Sequence, residues 1–525
     1  MTRIILFIFL IVPITHLNAQ NWPKFYNSMT AFPYGAMQFY DKGFIIVGVR
    51  ADYKYGWIIK TDVNGNTLWN KKLGNGKYNI YPHSIEQSYD GGLIIGGSSE
   101  KIGNQSDAFI LKLNSCGEIE WCKTIFTPTI PYDLGVCAKP TVDGGYVLLG
   151  LYNDLNQKNR INLFKFSSTG QLQWHFFYSP DSLLFSDDAN DLLIDTDGFL
   201  LSGTGYYPGP GIPPGYGAAR PYFIKTDTNG ILSWKTIYGK GTYYWGESFQ
   251  SKKSSNNNYY SACRHKDSLG NDYPGLVKIL INGDTSYNHD LVPQSIAGLA
   301  TIINIKDDTT IIFGMSWSSN SSPGPVGLMK TDTLGNELQN ITFLNSDFIV
   351  VSTVETTDHK YFSVSADCSP GCYIYACKVN SNLNYDSLIT TPLTYDSLCP
   401  YPVISDTINP DCDLIVNIQE PIESPNFSQL RVFPNPAKDK ITLVFPKYLI
   451  AKGSQKNPGS MTVYHEWDNT QLVLINLSGE LIYKSDISKE QSQLEIEISK
   501  FPKGLYLFQL RYRTLVISDV KVIFR

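Results

Sequence analysis

Six glycines recur at one spacing, and that spacing limits what the chain can fold into. Gly65, Gly117, Gly170, Gly230, Gly283 and Gly335 stand 52, 53, 60, 53 and 52 residues apart. Each belongs to a repeated phrase: an Asp/Gly turn, an apolar strand, a variable loop, a second apolar strand, a D-x-x-G-like turn and then a tryptophan. The first copy reads Lys42-Gly43, Phe44 to Val47, Trp57 to Lys60, Asp62 to Gly65 and Trp69. The next three carry Asp90-Gly91-Gly92 with Trp121, Asp143-Gly144-Gly145 with Trp174, and Asp197-Gly198 with Trp234. Weaker copies follow at Gly283, at Asp332 to Gly335 and near Asn380. A period near fifty with strand chemistry throughout predicts a β-propeller, because one four-stranded blade cannot cover both of its apolar faces and must stack on neighbours. Seven blades are counted, with six or eight also compatible with the weaker copies. Glycine permits positive φ in a tight turn, Asp and Asn bond the turn backbone, and the tryptophan wedges between sheets. Trp22 to Tyr26 resembles the fourth strand of a blade without the other three, so it is a candidate to close the ring, with Tyr385 to Ile389 as its rival.

The rest of the chain sets this repeat in an exported protein. Arg3, the apolar run Ile4 to Val12 and Ala19 before Gln20 read as a secretory signal over residues 1–19, since the run covers only about half of the ~20 residues a membrane helix needs. No later segment is apolar enough to span a membrane as a helix. The net charge of −5 provides no basic stripe for nucleic acid or lipid headgroups. Tyrosine and glycine are abundant and charged residues scarce, which favours an all-β fold. Nine cysteines in a disulfide-permitting compartment leave at least one free. Cys399 and Cys412 bracket a short Pro-rich stretch and are the expected pair, and any two of Cys368, Cys372 and Cys377 can bridge. The expected organisation is a signal at 1–19, a propeller at 20–398, a linker with the cysteine pair at 399–428, and a small C-terminal β-sandwich at 429–525.

Two resemblances follow from these motifs. The phrase D-G-G-x-x-x-x-G, then K-x-D-x-x-G-x-x-x-W, resembles propeller-like repeats of exported Bacteroidetes proteins, clearly in four copies. In copies five to seven Asn256 to Tyr260, Asp307-Asp308 and His359-Lys360 replace the Asp-Gly-Gly turn. The opening Phe433-Pro434-Asn435-Pro436-Ala437, the turn at Ser478-Gly479, the strand Gly504 to Phe508 and the basic end Lys521 to Arg525 together resemble the type A sorting domain of type IX secretion cargo. An insertion, Pro446 to Gln471, departs from that pattern and reads as a loop. The resemblance implies the type IX machinery as a partner, with the mature protein secreted or held at the cell surface, on the outer face of the outer membrane.

Catalytic chemistry is sparse. No G-x-S-x-G, H-E-x-x-H, P-loop, C-x-x-C or dinucleotide glycine pattern occurs, so no catalytic residue, metal ligand or cofactor is assigned. The mature histidines stand singly and read as surface or turn residues. The D-x-N-G turns at Asp62 and Asp227 lack the further oxygens of a calcium loop. Asp187, Asp188, Asp191 and Asp195 form a carboxylate cluster, read as solvated turn residues or, if the protein is a polysaccharide hydrolase or lyase, as its acid and base. Four Ser-containing triplets, at Ser182, Ser268, Ser387 and Ser397, resemble O-glycosylation acceptors. The candidate ligand-binding residues are aromatic: Tyr206, Tyr207 and Tyr216 in the long insertion of the fourth repeat, Tyr243, Tyr244 and Trp245 in the crossover that follows, and Trp317 in the sixth. Flat rings on stiff loops suit sugar faces or peptide chains. A glycan- or protein-binding role in adhesion is the first reading, a polysaccharide hydrolase or lyase the second, and a structural surface cargo without a ligand the third.

Overall fold

The structure is a computed structural model describing residues 22–415 and 430–525, apart from 77–78, 103–104, 126–132, 154–158, 179–185, 208–217, 239–244, 267–271, 292–298, 318–323, 347–349, 369–371, 434–436, 446–448, 453–460, 465–469, 477–478, 489–490, 492 and 513–514. The expected signal segment lies outside the described residues, as do Ser182 and Ser268. The described chain is all strand and turn. Among the described residues no helix is long and apolar enough to cross a membrane. Contacts divide the chain into one unit to Pro421 and a second from Ile422.

The first unit is a propeller of seven blades. Blades two to six are formed from residues 80–125, 133–178, 186–237, 245–290 and 299–346, each running from the axis outward in sequence order. Blades one and seven share one strand. Lys24–Gln38 pairs through Ala31 to Gln38 with Phe44–Arg50 of blade one, and through Lys24 to Tyr26 with Tyr373–Val379 of blade seven. The segment containing Trp22 to Tyr26 is therefore the closing strand, and the rival Tyr385 makes only an isolated bridge to Val379. Closing the ring this way leaves no open sheet edge between first and last blades.

The repeat phrase has a physical role at each letter. The lysine of K-x-D sits buried on the third strand and pairs with the turn acid of its own blade: Lys60 with Asp41 at 2.6 Å, Lys112 with Asp90 at 2.9 Å, Lys165 with Asp143 at 2.9 Å, Lys225 with Asp197 at 2.7 Å and Lys378 with Asp358 at 3.2 Å. Blades five and six, where the sequence departs from the phrase, replace this pair. There Lys278 lies over the Tyr260 ring and Lys330 donates to the Ser381 carbonyl. In blades one to four the tryptophan of the outer strand reaches the next blade's turn. A Cβ on Gly170 would meet the Trp121 ring at 2.7 Å, and the Trp121 indole N–H donates to the Ser168 carbonyl at 3.0 Å. At Gly65, φ is +78° and a Cβ would strike Trp22, so the closing strand uses the same contact. The tyrosine four residues after the tryptophan adds a hydrogen bond, from Tyr26 to the Gly65 carbonyl and from Tyr178 to the Gly230 carbonyl.

The stretch expected as a linker is built into this unit as a strap. Leaving blade seven, it bonds Asn64 through Ile389, Val63 through the Tyr395 hydroxyl, and the Trp69 indole through Asp396. It then adds Asp406–Ile408 parallel to Thr67–Leu73 of blade one and Asp413–Ile415 parallel to Ile119–Ile125 of blade two. Cys399 and Cys412 are both bridged, but not to each other as expected. Cys399 pairs with Cys116 and Cys412 with Cys122. The chain between them runs along the outer strand of blade one, which holds the two apart, and each sulfur meets a partner on blade two instead of its neighbour in sequence. Cys368 pairs with Cys372, while Cys137, Cys263 and Cys377 are free and buried.

The second unit is a small sandwich. One sheet holds Arg431–Phe433, Lys440–Val444 and Gln493–Glu497, and the other Leu481–Asp486, Thr470–Asn476, Gly504–Tyr512 and Leu515–Phe524. Their inner faces meet through Leu443, Leu472, Leu474, Phe508 and Val522. Ala437 of the opening motif donates its N–H to Ile523 and accepts from Arg525, which ties the first landmark to the last. The insertion expected as a loop contains a paired hairpin, Leu449–Lys452 with Met461–Tyr464.

Removing one partner from a buried ion pair strands the other charge. Asp41→Ala, opposite the fully buried Lys60, is expected to cost about 3 kcal/mol, read as a lower denaturation midpoint with unchanged slope. Acid should act on the same pairs. Burial pushes the Asp143 and Asp358 carboxyls up, but the Thr141 and Thr356 hydroxyls and the neighbouring lysines outweigh it and hold each at about 2. A group whose folded pKa is depressed contributes fully above its unfolded value and less as pH falls towards the folded one. Melting temperature is therefore expected to fall between about pH 4 and pH 2, less steeply in Asp143→Asn.

Candidate binding site in the central channel

Antiparallel blades place their two kinds of connection on opposite faces of the ring. The tight turns before the second strand and before the fourth share one face, and the longer loops and blade-to-blade crossovers share the other. The innermost strands line a central channel of about 590 Å³. On those strands the ladder slips at the same place in six blades: between Pro33 and Gly35, Pro82 and Ser84, Gly135 and Cys137, Ala189 and Asp191, Ser248 and Ser251, and Ala300 and Ile302. A β-bulge leaves a residue unpaired and re-aims it. The residues released this way, Tyr34, His83, Val136, Asn190, Phe249 with Gln250, and Thr301, all line the channel.

Several of these also stitch one inner strand to the next. His83 Nδ1–H donates to the Gly135 carbonyl at 2.9 Å, Asn190 to the Ser248 carbonyl at 2.6 Å and Thr301 to the Val350 carbonyl at 2.9 Å. With Nδ1 donating, the His83 Nε2 is an acceptor. Burial lowers the His83 pKa, only partly opposed by the Gly135 bond.

On the loop side, blades one and two carry a run of rings at the channel mouth. Phe32 and Tyr53 stack with centroids 5.6 Å apart, Tyr34 meets His83 edge-on at 5.4 Å, and Tyr81 lies 6.4 Å from both Tyr53 and His83. Tyr53 occupies a left-handed turn, φ 59°, with its N–H bonded to the Arg50 carbonyl, and it is 45% exposed. The Tyr81 hydroxyl donates to Glu100, which also accepts from Asn79. Burial first, then the Glu100 charge, push the Tyr81 phenol up to about 12.

The aromatic residues singled out from sequence stand differently. Tyr206 is half-buried and donates its hydroxyl to Asp188 at 3.0 Å. Trp317 is half-buried against the core shared by blades five and six. Tyr216, Tyr243 and Tyr244 lie outside the described residues, and Tyr207 and Trp245 are described through their backbone alone. The carboxylate cluster is not the solvated turn expected. The inner strand of blade four begins at Ser186, so these acids are strand residues with fixed partners. Asp187 is fully buried, and burial pushes it up to about 8 against the opposing charge of Arg160. Asp195 accepts from Lys253 at 2.7 Å and Tyr259 at 2.6 Å. Asp191 accepts the Ser251 N–H and faces the channel. His83 also departs from the surface or turn role expected of it. Among the described residues no group of three His, Cys, Asp or Glu converges as metal ligands would.

A signal for the channel residues exists in the sequence. Tyr34, His83, Val136, Asn190, Phe249 and Thr301 each lie seven residues before Asp41, Asp90, Asp143, Asp197, Asn256 and Asp308, at the following turns. In blade seven the same count arrives at Val351, which also lines the channel.

Residues 431–524 match the family model of the secretion system C-terminal sorting domain. No curated protein matches the chain. Among solved structures, an ulvan lyase, described as a new family of polysaccharide lyase and bound to -[GlcA(1-4)Rha3S]-, aligns at 12% identity with a TM-score of 0.47, covering 67% of this chain and 96% of that one. A virginiamycin B lyase from Staphylococcus aureus aligns at 10% identity and 0.42, covering 68% and 98%. The β-propeller domain of the Trilobed protease from Pyrococcus furiosus aligns at 10% and 0.40, covering 69% and 100%. The sorting domain marks the protein as a secreted or cell-surface cargo of type IX secretion.

The state of His83 can be measured directly. Nitrogen NMR of the full mature chain is expected to show its neutral form protonated at Nδ1 and its titration below the ordinary value of about 6.5. A midpoint at or above that value would contradict the buried, carbonyl-bonded imidazole.

Proposed function

We propose that this secreted or cell-surface cargo binds a carbohydrate through the mouth and wall of its propeller channel, at the outer face of the outer membrane or in the medium. The observation that carries this reading is the run Phe32, Tyr53, Tyr81, His83 and Tyr34, which lines the route from the exposed loop side into the channel. Sugar rings present C–H faces that pack on aromatic planes and hydroxyls that need directional partners. The mouth offers both, since Glu100 and Asn79 stand beside the rings and Asn190, Gln250 and Thr301 lie further in. The channel's closed ring of strands makes the wall rigid, so little ordering entropy is lost when a ligand enters. Tyr207 and Tyr216 of the fourth repeat and Tyr243, Tyr244 and Trp245 of the crossover after it belong to the ligand-binding set in this reading. The sorting domain fits the role, because it delivers the channel to where polysaccharides and glycoproteins are met.

The test is retention of the full mature chain on a panel of immobilised polysaccharides, with mass spectrometry of anything released. Tyr53→Ala and Tyr81→Ala are each expected to weaken binding about tenfold. Tyr53→Ala should leave the melting temperature unchanged because that ring is largely outside the core. Equal retention of both variants and the parent, or no retention by the parent, would refute the reading.

A further inference from the structure

Deeper in the channel, towards the turn side, four charged side chains from four consecutive blades come together: Glu86, Lys139, Asp191 and Lys252. All four interact electrostatically, with Cys137 among them. Three have partners. Lys139 pairs with Glu86 at 3.5 Å, and Asp191 accepts the Ser251 N–H at 3.1 Å. The remaining charged groups on the wall are also engaged, Lys253 by Asp195 at 2.7 Å and Glu355 by His359 at 2.9 Å. Lys252 is the exception. Among the described residues it is the one charged group of the channel wall with neither an ion pair nor a hydrogen bond.

We propose that Lys252, with Lys139 beside it, receives an anionic group of a ligand entering the channel, a carboxylate or a sulfate ester. This deepens the carbohydrate reading and rests on it for the nature of the molecule that carries the anion. An ammonium group confined in a channel and left unpaired is a standing cost to the fold. Here the cost is aggravated by a second cation, and Asp191 and Glu86 offset it only in part, since neither lies within ion-pair distance of Lys252. Burial first, then the Lys139 charge, lower the Lys252 pKa. An arriving anion would offset both and favour the ammonium form. Blades six and seven add Thr301, Asn304, Ser352 and Thr353 to the wall, hydroxyl and amide groups that suit the hydroxyls of the sugar carrying the anion.

The experiment uses the full mature chain with its lysines reductively methylated with carbon-13, and Lys252→Met to identify the Lys252 signal. Glucuronate, inorganic sulfate and glucose serve as probes. Glucuronate or sulfate is expected to shift the Lys252 signal and raise its titration midpoint, while glucose leaves it in place. A response to glucuronate alone assigns a carboxylate, and a response to sulfate alone assigns a sulfate ester. Lys252→Met is expected to melt no lower than the parent and to bind a uronate-containing oligosaccharide about tenfold more weakly than the parent does, with neutral oligosaccharides unaffected. If neither anion moves the Lys252 signal, or if Lys252→Met lowers the melting temperature and leaves uronate binding unchanged, Lys252 is a structural residue and the proposal fails. If the anions act on Lys252 while the Tyr53 and Tyr81 variants retain polysaccharide normally, the anion site stands and the aromatic mouth does not.

Discussion

A buried ammonium group must find an anion, and much of this propeller is arranged to provide one. The third strand of every blade carries a lysine two residues before its turn, at Lys60, Lys112, Lys165, Lys225, Lys278, Lys330 and Lys378. In five blades the partner is the acid of the turn between the first two strands. The pair therefore spans the blade from its third strand to its inner hairpin and fixes the register of both. Gly92 and Gly145 follow from it, because a Cβ at either would collide with the lysine Nζ, at 2.4 Å and 2.2 Å. A pair of this kind is weak as net stability and strong as specification, since any misregister leaves a charge stranded.

This division of labour separates scaffold from surface within each repeat. The tight-turn side is occupied by ion pairs, turn bonds and tryptophans, with little freedom to vary. The bulge on the inner strand of six blades releases one position, or two in blade five, from those demands, and its occupants range from Val136 to His83 to Tyr34. An axial cavity whose wall is assembled from independent residues of separate blades can change its chemistry without disturbing the ring.

How much of this could be seen beforehand depended on whether a feature left a periodic trace. The turn glycines, their tryptophans and the closing strand at Trp22 were legible because each is needed once per blade for a local steric reason. Blades five and six were blurred in sequence where Asn256 to Tyr260 and Asp307-Asp308 replace the usual turn chemistry, and there too the lysine contacts change. The channel residues went unnoticed because a bulge is a backbone event that constrains where a side chain points without constraining which one it is. The strap read as a linker because its strands, Asp406–Ile408 and Asp413–Ile415, are three residues each, too short to show alternation. Cysteine proximity in sequence misled for a related reason: the partners of Cys399 and Cys412 lie 283 and 290 residues away. The aromatic residues of the fourth repeat drew attention as a composition anomaly, whereas the rings at the channel mouth come from two inner strands and one loop and form no run in sequence.

The strap gives the molecule an unusual tolerance of damage. Cys116 and Cys399 enclose blades three to seven within one covalent loop, and Cys122 with Cys412 encloses them again. A protease that nicks any single loop in this interval severs the backbone yet releases nothing, since both ends remain attached through blade two. The sorting domain follows in the chain after Ile415, beyond the second bridge. A cut in the chain between Ile415 and Leu430 would sever the covalent link to the sorting domain and leave both bridges and the ring's own closure, at Lys24 to Tyr26, untouched. A cargo exposed to extracellular proteases can in this way lose its address and suffer backbone breaks while its blades stay covalently gathered around the channel.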